Sequence, residues 1–362
     1  QRHRNMFTRH FPVTGPNDAY RPLQLRQTHV FLRNMLHSPE EFYYQVRRTA
    51  TAIILDITYG HEVAEAGDYY VRLADEALQG VVRAGIFGSF VVDYLPWLKH
   101  IPAWIPGAAW KRQAQLWRSK SKEMVSYPYE ILLRRLREGS AVSCLATEEL
   151  DYQASHGVGV PEDELIIKNV AATTYAGGSD TVVSTMRSFF LAMALHPQVQ
   201  NKAQAEIDRI CSGRLPVFAD RPELPYIDCI CHELLRWHPV TPLGLARTIE
   251  QDDEYKGYLI PKGATILPNV WGILHDEDRY PDPMTFNPDR FESKSQETGQ
   301  NELPESAFGF GRRICPGRFL AFDTLWIFVA STLAVYKIRK AVDDKGLMIE
   351  PPELYESTLL SY

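Results

Sequence analysis

The chain has 362 residues, of which 45% are hydrophobic, 11% aromatic and 23% charged, with a formal net charge of -6. This is enough apolar side chain for a large core and too long a chain for a small disulfide scaffold. Without a basic excess it is not expected to bind nucleic acid. Five cysteines, at 144, 211, 229, 231 and 315, are odd in number and irregularly spaced, which fits a reduced, cytosol-facing protein. Cys229 and Cys231 stand at i,i+2, point apart on a helix, and read as ordinary helix cysteines.

Residues 1 to about 138 carry period-3.6 apolar patterns, as in EEFYYQVRRTATAIILDITYG and DYYVRLADEALQGVVRAG, and are expected to be helical. Between them, residues 85–110 (GIFGSFVVDYLPWLKHIPAWIPGAAW) are rich in Trp, Pro and aliphatics. They read either as a connector packed on the core or as an exposed loop meeting a membrane surface, where Trp97, Trp104 and Trp110 would suit the interface. Pro161 opens a long helix with acidic residues in its first turn. A second helix is expected to Arg209, and a third carries LPYIDCICHELLRWHP. From Pro239 the texture changes to Gly, Pro and β-branched residues, which predicts a small β region. A Pro-rich loop follows, then AFGFGRRICPGR, then a last helix to about Lys337. The final stretch, LMIEPPELYESTLLSY, reads as strand. No signal peptide and no run of about 18 apolar residues is present, so no spanning helix is expected. The chain lacks an initiator Met and starts within a helical pattern, so a fragment of a longer protein is expected.

Several chemistries fail on spacing. A pyrophosphate-binding GxGxxG would need Gly at 309, 311 and 314, and 314 is Ile. His232-Glu233 begins an HExxH pattern, but 236 is Arg. Cys315 has no Cys or His at zinc-ligand spacing. A lone thiolate suits a haem iron better, because the porphyrin supplies the other four donors. Glycines around it let backbone N–H groups approach the sulfur, and Arg313 can face a haem propionate. Glu233 and Arg236 are an i,i+3 pair on one face of an apolar helix. Gly177 and Gly178 stand inside a helix at a cost of roughly 1 kcal/mol each relative to Ala, so they need a reason.

Phe308-x-x-Gly311-x-Arg313-x-Cys315-x-Gly317 resembles, at every fixed position, the haem-binding loop FxxGxRxCxG of the cytochrome P450 family. The resemblance covers nearly the whole chain and is nearest in texture to microsomal fungal members. It implies a mainly α fold with a small β region, here a single domain over 1–362 lacking the family's N-terminal anchor, first helices and first sheet strands. It implies haem b with Cys315 as axial ligand, and Phe308, Arg313 and Gly317 beside the haem. Glu233, Arg236 and Arg290 would form the family's structural triad; Asn287-Pro-Asp-Arg290-Phe resembles its PERF segment with Asn and Asp where Pro and Glu are usual. Ala176-Gly-Gly-Ser-Asp-Thr181 resembles the distal-helix motif [AG]GxDT, in which a widened turn admits dioxygen and Asp180 and Thr181 relay protons. Val182 follows, where the family often has Thr or Ser. Arg4 and Arg247 would contact propionates, and Ala176, Gly177, Leu243 and Leu245 would line an apolar pocket.

By the same resemblance the function is monooxygenation of a lipophilic small molecule, in secondary metabolism or xenobiotic oxidation. The implied partners are NADPH–cytochrome P450 reductase, with cytochrome b5 as a further electron donor, and the cytosolic face of the endoplasmic reticulum membrane, reached by an anchor and by residues 85–110. Two rivals stay open: a peroxide-rearranging isomerase or dehydratase, which commonly lacks the acid–alcohol pair, and a non-catalytic haem-binding remnant.

Overall fold

The computed structural model describes residues 2–12, 18–85, 88–156, 161–292, 303–355 and 359–361. The chain divides into two compact units: Gln1–Met186 with Phe319–Ser331, and Arg187–Arg318 with Thr332–Tyr362.

The first unit is built from helices α1 (Arg2–His10), α2 (Arg21–His37), α3 (Phe42–Tyr59), α4 (Tyr69–Ala84), α5 (Val91–Tyr94), α6 (Ala109–Arg137), α7 (Leu145–Ser155) and most of α8 (Pro161–Leu195). The period-3.6 reading of the N-terminal part therefore holds. Local signals place the ends. Asp68 caps α4 by accepting from the Tyr70 N–H at 2.8 Å. Gly60, at φ 58°, ends α3 in the left-handed conformation that favours glycine. In α8, Glu162, Asp163 and Glu164 fill the first turn, where the helix dipole favours negative charge.

α3 is apolar on nearly every side, from Ala52 through Leu55, and sits in the core with Leu73 and Leu78 of α4 and Val170 and Tyr175 of α8. Tyr175 is fully buried, and its hydroxyl donates to the Tyr70 carbonyl at 2.6 Å. The glycines of α8 divide their duties. A Cβ on Gly178 would stand 2.6 Å from Ile54 of α3, so the bare backbone is what lets the two helices close. A Cβ on Gly177 would meet nothing within 4 Å.

In the second unit, α9 (Pro197–Cys211) and α10 (Pro225–Trp237) precede four short strands, β1 (Arg247–Thr248), β2 (Asp253–Tyr255), β3 (Tyr258–Ile260) and β4 (Thr265–Ile266). β1 pairs antiparallel with β4, Arg247 opposite Ile266, and β2 with β3, Tyr255 opposite Tyr258. The β2–β3 turn is Lys256-Gly257, both at positive φ (52° and 81°), the mirror-image turn that matches strand twist. α11 (Val270–Leu274) follows the strands.

The last helix, α12 (Arg318–Val335), has Phe319–Ser331 in the first unit. It is long and apolar enough to cross a membrane, yet Leu325, Trp326, Ile327, Phe328 and Val329 are all at most 2% exposed. There Phe328 meets Phe31 of α2 at 4.7 Å between ring centroids, Gln24 donates to Thr324 at 2.7 Å, and Arg21 pairs with Asp323 at 3.0 Å. It reads as a core helix.

One expectation changes and one open reading narrows. The C-terminal stretch is not a strand in its described residues, which hold only an isolated bridge between Val342 and Met348. Pro351-Pro352 removes the donors a ladder would need. The 85–110 segment is exposed rather than packed: Val91, Tyr94, Trp97 and Trp104 are 61–79% accessible, while Trp110 is half-buried. Residues 86–87 of this segment, like 356–358 of the last stretch, lie outside the described residues.

Gly178→Ala is expected to lower unfolding stability by roughly 1–3 kcal/mol through overpacking against Ile54. Gly177→Ala should instead raise it by up to about 1 kcal/mol by helix propensity. Urea denaturation of both variants checks the contrast, and equal effects would contradict it.

Candidate active site

The cysteine loop lies in the second unit. Two short 3-10 turns, Glu305–Phe308 and Gly311–Arg313, bring the chain round so that the Cys315 N–H donates to the Phe308 carbonyl at 2.8 Å. Gly309 (φ 85°) and Gly311 (φ 54°) supply conformations that a side chain would resist. The Cys315 thiol is half-buried, and burial pushes it above the ordinary thiol value. The Gly317 backbone N–H and the Arg318 charge pull the other way, toward the thiolate. A Cβ on Gly317 would approach the sulfur to 4.0 Å. Phe308 is half-buried; Arg313, Arg247 and Arg4 are exposed. Arg247 sits on β1, and Arg4 on α1 in the other unit.

This donor set fits a haem. The loop offers one half-buried sulfur, and among the described residues no cluster of three or more His, Cys, Asp or Glu could hold a bare metal ion. A metal that brings its own four nitrogen donors needs only that one protein ligand. A cavity of about 570 Å³ adjoins the loop, lined in part by Asp276, Arg279, Glu305, Phe310 and Ile314. Its walls carry Asp276, Arg279 and Glu305 beside Ile273, Leu303, Phe310 and Ile314, so they offer both charged and apolar contacts.

Also in the second unit, Glu233 of α10 is fully buried, as is Arg236. Arg236 forks onto it, Nε to Oε2 at 2.7 Å and Nη2 to Oε1 at 2.8 Å, and Arg290 Nε lies 3.2 Å from Oε2. The Asn287 N–H donates a further bond to Oε1 at 2.8 Å. The remaining guanidinium hydrogens go to backbone carbonyls: Arg236 to Leu274 and Thr285, Arg290 to Pro281. The structure thus brings together the three residues expected to associate. It adds partners that no spacing rule reveals, a backbone N–H and, with the Asp282 carbonyl that Arg290 also reaches, four carbonyls.

Two histidines flank this cluster. Burial, with the nearby Arg221 charge, pushes His232 down to about 4; burial, with His275 and Arg236, pushes His238 down to about 3.

The acid–alcohol pair lies in the first unit, on α8. Asp180 is buried and receives a hydrogen bond from Arg47 Nη1 at 2.9 Å; Thr181 is half-buried and its Oγ1 donates to the Gly177 carbonyl at 2.7 Å. α8 is continuous α-helix through this stretch, so the widened turn implied by the motif is not formed. The space there comes from Gly177, exposed beside half-buried Ala176. Leu243 and Leu245, in the second unit, are each 55% exposed in the turn before β1. Arg47 escaped the sequence reading altogether: it lies 133 residues from its partner, with no motif around it.

A family model for cytochrome P450 matches residues 1–359. Cytochrome P450 monooxygenase 208 of Postia placenta is 43% identical over 93% of this chain and 65% of its own length. A cytochrome P450 monooxygenase of Armillaria gallica is 44% identical over 97% of this chain and 69% of its own. The monooxygenase claR of Ampulloclitocybe clavipes is 39% identical over 95% and 63%. The chain belongs to the cytochrome P450 family, and its resemblance to fungal members holds. It spans about two thirds of the length of these relatives (63–69%).

Glu233→Gln leaves two buried guanidiniums without a counter-charge and should cost about 3–5 kcal/mol in urea unfolding. A loss below 1 kcal/mol would mean that the pair behaves as a surface bridge. His232 and His238 stay neutral in the fold, whereas an unfolded histidine takes up a proton near 6.5. Their stability contribution is therefore complete above about pH 6.5 and is lost as pH falls toward 4 and then 3. The slope is on the order of 1 kcal/mol per pH unit for each. Urea midpoints across that range should fall with acid, and His238→Phe should flatten the fall.

Proposed function

We propose that this chain is the catalytic part of a haem-thiolate monooxygenase that inserts one oxygen atom of dioxygen into a lipophilic substrate. The observation that carries the reading is the Cys315 loop, in which two short 3-10 turns and two left-handed glycines present one half-buried thiol. Family membership and relatives named as monooxygenases support it.

Haem b, held through Cys315, would supply the dioxygen chemistry. The chain's own residues do the rest. Cys315 would hold the haem iron through its sulfur, an electron-rich ligand suited to that chemistry. Arg313, with Arg247 and Arg4, would meet the propionates by charge-assisted hydrogen bonds. Asp180 and Thr181 would supply protons, Asp180 from its carboxyl and Thr181 through its hydroxyl. Ala176 and Gly177, with Leu243 and Leu245, would contact the substrate, and the bare surface at Gly177 supports that placement. Electrons would come from NADPH through a flavin reductase, aided by cytochrome b5. The exposed Val91, Tyr94, Trp97 and Trp104 support a docking on the cytosolic face of the endoplasmic reticulum membrane, because amphipathic rings gather at the headgroup level. A role in fungal secondary metabolism or xenobiotic oxidation is consistent with these features.

In the full-length haem-loaded protein, Cys315→Ala should abolish the red-shifted Soret band of the reduced carbon monoxide complex; its retention would reassign the ligand. Thr181→Ala should let NADPH be consumed with peroxide in place of product. Unchanged coupling would remove the proton role, and product formed without NADPH would favour a peroxide-rearranging activity.

A further inference from the structure

The last turn of α6 carries Arg134, Arg135 and Arg137, and the chain leaves the helix through Glu138, Gly139 and Ser140, all exposed. Gly139, at φ 68°, donates its N–H to the Leu136 carbonyl at 3.2 Å, and the Ser140 N–H donates to the Arg135 carbonyl at 2.9 Å. This pair of bonds closes the helix and places the residue after the glycine beside Arg135. The Ser140 hydroxyl accordingly donates to the same carbonyl at 3.4 Å.

Arg135 also reaches out of α6 to the end of α3, where its Nη1 donates to the Gly60 carbonyl at 3.3 Å. Val142, two residues past Ser140, covers Gly60 so closely that a Cβ there would stand 2.3 Å from it. The segment after α6 is thus fastened to the end of α3 at two points, and one of them is a single long bond to a neutral oxygen.

Spacing singles out Ser140. It is the one serine or threonine of the chain with arginine both three and five residues before it, Arg137 and Arg135. Ser121 and Ser212 have arginine at the first of these positions alone. Arginine-directed protein kinases hold such guanidiniums on carboxylates of the substrate groove. They take the chain extended, so the last turn of α6 must fray. With Arg134, Leu136 and Arg137 exposed, that turn has little packing to lose.

We propose that Ser140 is a phosphorylation site for an arginine-directed protein kinase, and that its phosphate draws Arg135 away from Gly60. The Ser140 oxygen forms a bond to the γ-phosphorus of ATP as the bond from that phosphorus to the bridging oxygen breaks. ADP leaves with the electron pair, and the hydroxyl proton passes to the kinase's catalytic carboxylate. The product is close to a dianion near neutral pH, set beside a guanidinium that can grip it with two parallel bonds. The Gly60 carbonyl then loses the Arg135 donor, and the end of α3 loosens.

The test incubates the folded, full-length haem-loaded protein with protein kinase B, ATP and magnesium, and locates phosphate by peptide mass spectrometry. Phosphate is expected at Ser140, with total incorporation falling in Ser140→Ala and slowing about tenfold in Arg137→Gln, which lacks one charge-assisted contact. Phosphate only at other residues, or at Ser140 only after heat unfolding, would overturn the site. Hydrogen exchange reads the second part without turnover. The amides of Gly60 and His61, bonded to the Asp56 and Leu55 carbonyls at 2.9 and 3.4 Å, are the reporters. They should exchange about threefold faster after phosphorylation, because local opening becomes easier. Arg135→Gln should quicken the same amides without phosphate, and Ser140→Ala treated with kinase should not. Unchanged exchange in the phosphorylated protein or in Arg135→Gln would overturn the movement of Arg135.

Discussion

A carboxylate with no solvent exposure is tolerable only when its charge and lone pairs are met, and Glu233 meets that demand with two arginines and a backbone N–H. The consequence is organisational. To satisfy their own hydrogens, Arg236 and Arg290 must find carbonyls, and they take those of Leu274, Thr285 and Pro281. Four segments of the second unit are thus fixed by one buried charge: α10, the end of α11, the Pro-rich loop, and the turn that holds Arg290. Such a cluster adds little net stability over an apolar replacement, but losing one member is costly. That asymmetry makes it a device for fixing chain path.

The chemistry-bearing groups show a division of labour along the chain. The loop around Cys315 supplies a sulfur and, through Gly317 and Arg318, an environment that opposes the effect of burial on its ionisation. The pair on α8 supplies an acid and an alcohol, and the neighbouring glycines serve packing and access separately. Gly178 lets α3 approach, and Gly177 leaves room. One short motif therefore places a packing glycine and an unobstructed one at adjacent positions.

The helical frame was legible because amphipathic periodicity, Pro161 and the acidic first turn of α8 each state a local physical preference. The triad was partly legible: Glu233 and Arg236 are one helical turn apart, and Arg290 came through a looser segment match. What was hidden has a common cause. Arg47, the Asn287 N–H and the carbonyls of Leu274 and Thr285 become partners only through tertiary approach, and no spacing along the chain marks them. The C-terminal stretch misled in the opposite way: its apolar residues read as strand, but paired prolines leave the ladder short of donors. The 85–110 segment left two readings open, since composition alone does not say which face of an apolar loop finds a neighbour; most of its large apolar side chains are exposed.

The central claim is that Cys315 sulfur binds the haem iron of the full-length protein. Resonance Raman spectra of protein grown with ordinary and with heavy-sulfur cysteine address it directly. The account predicts an iron–sulfur stretch that moves to lower frequency with the heavier isotope and is absent in Cys315→Ala. A haem-loaded protein without any sulfur-sensitive band, or with one that survives Cys315→Ala, would contradict it.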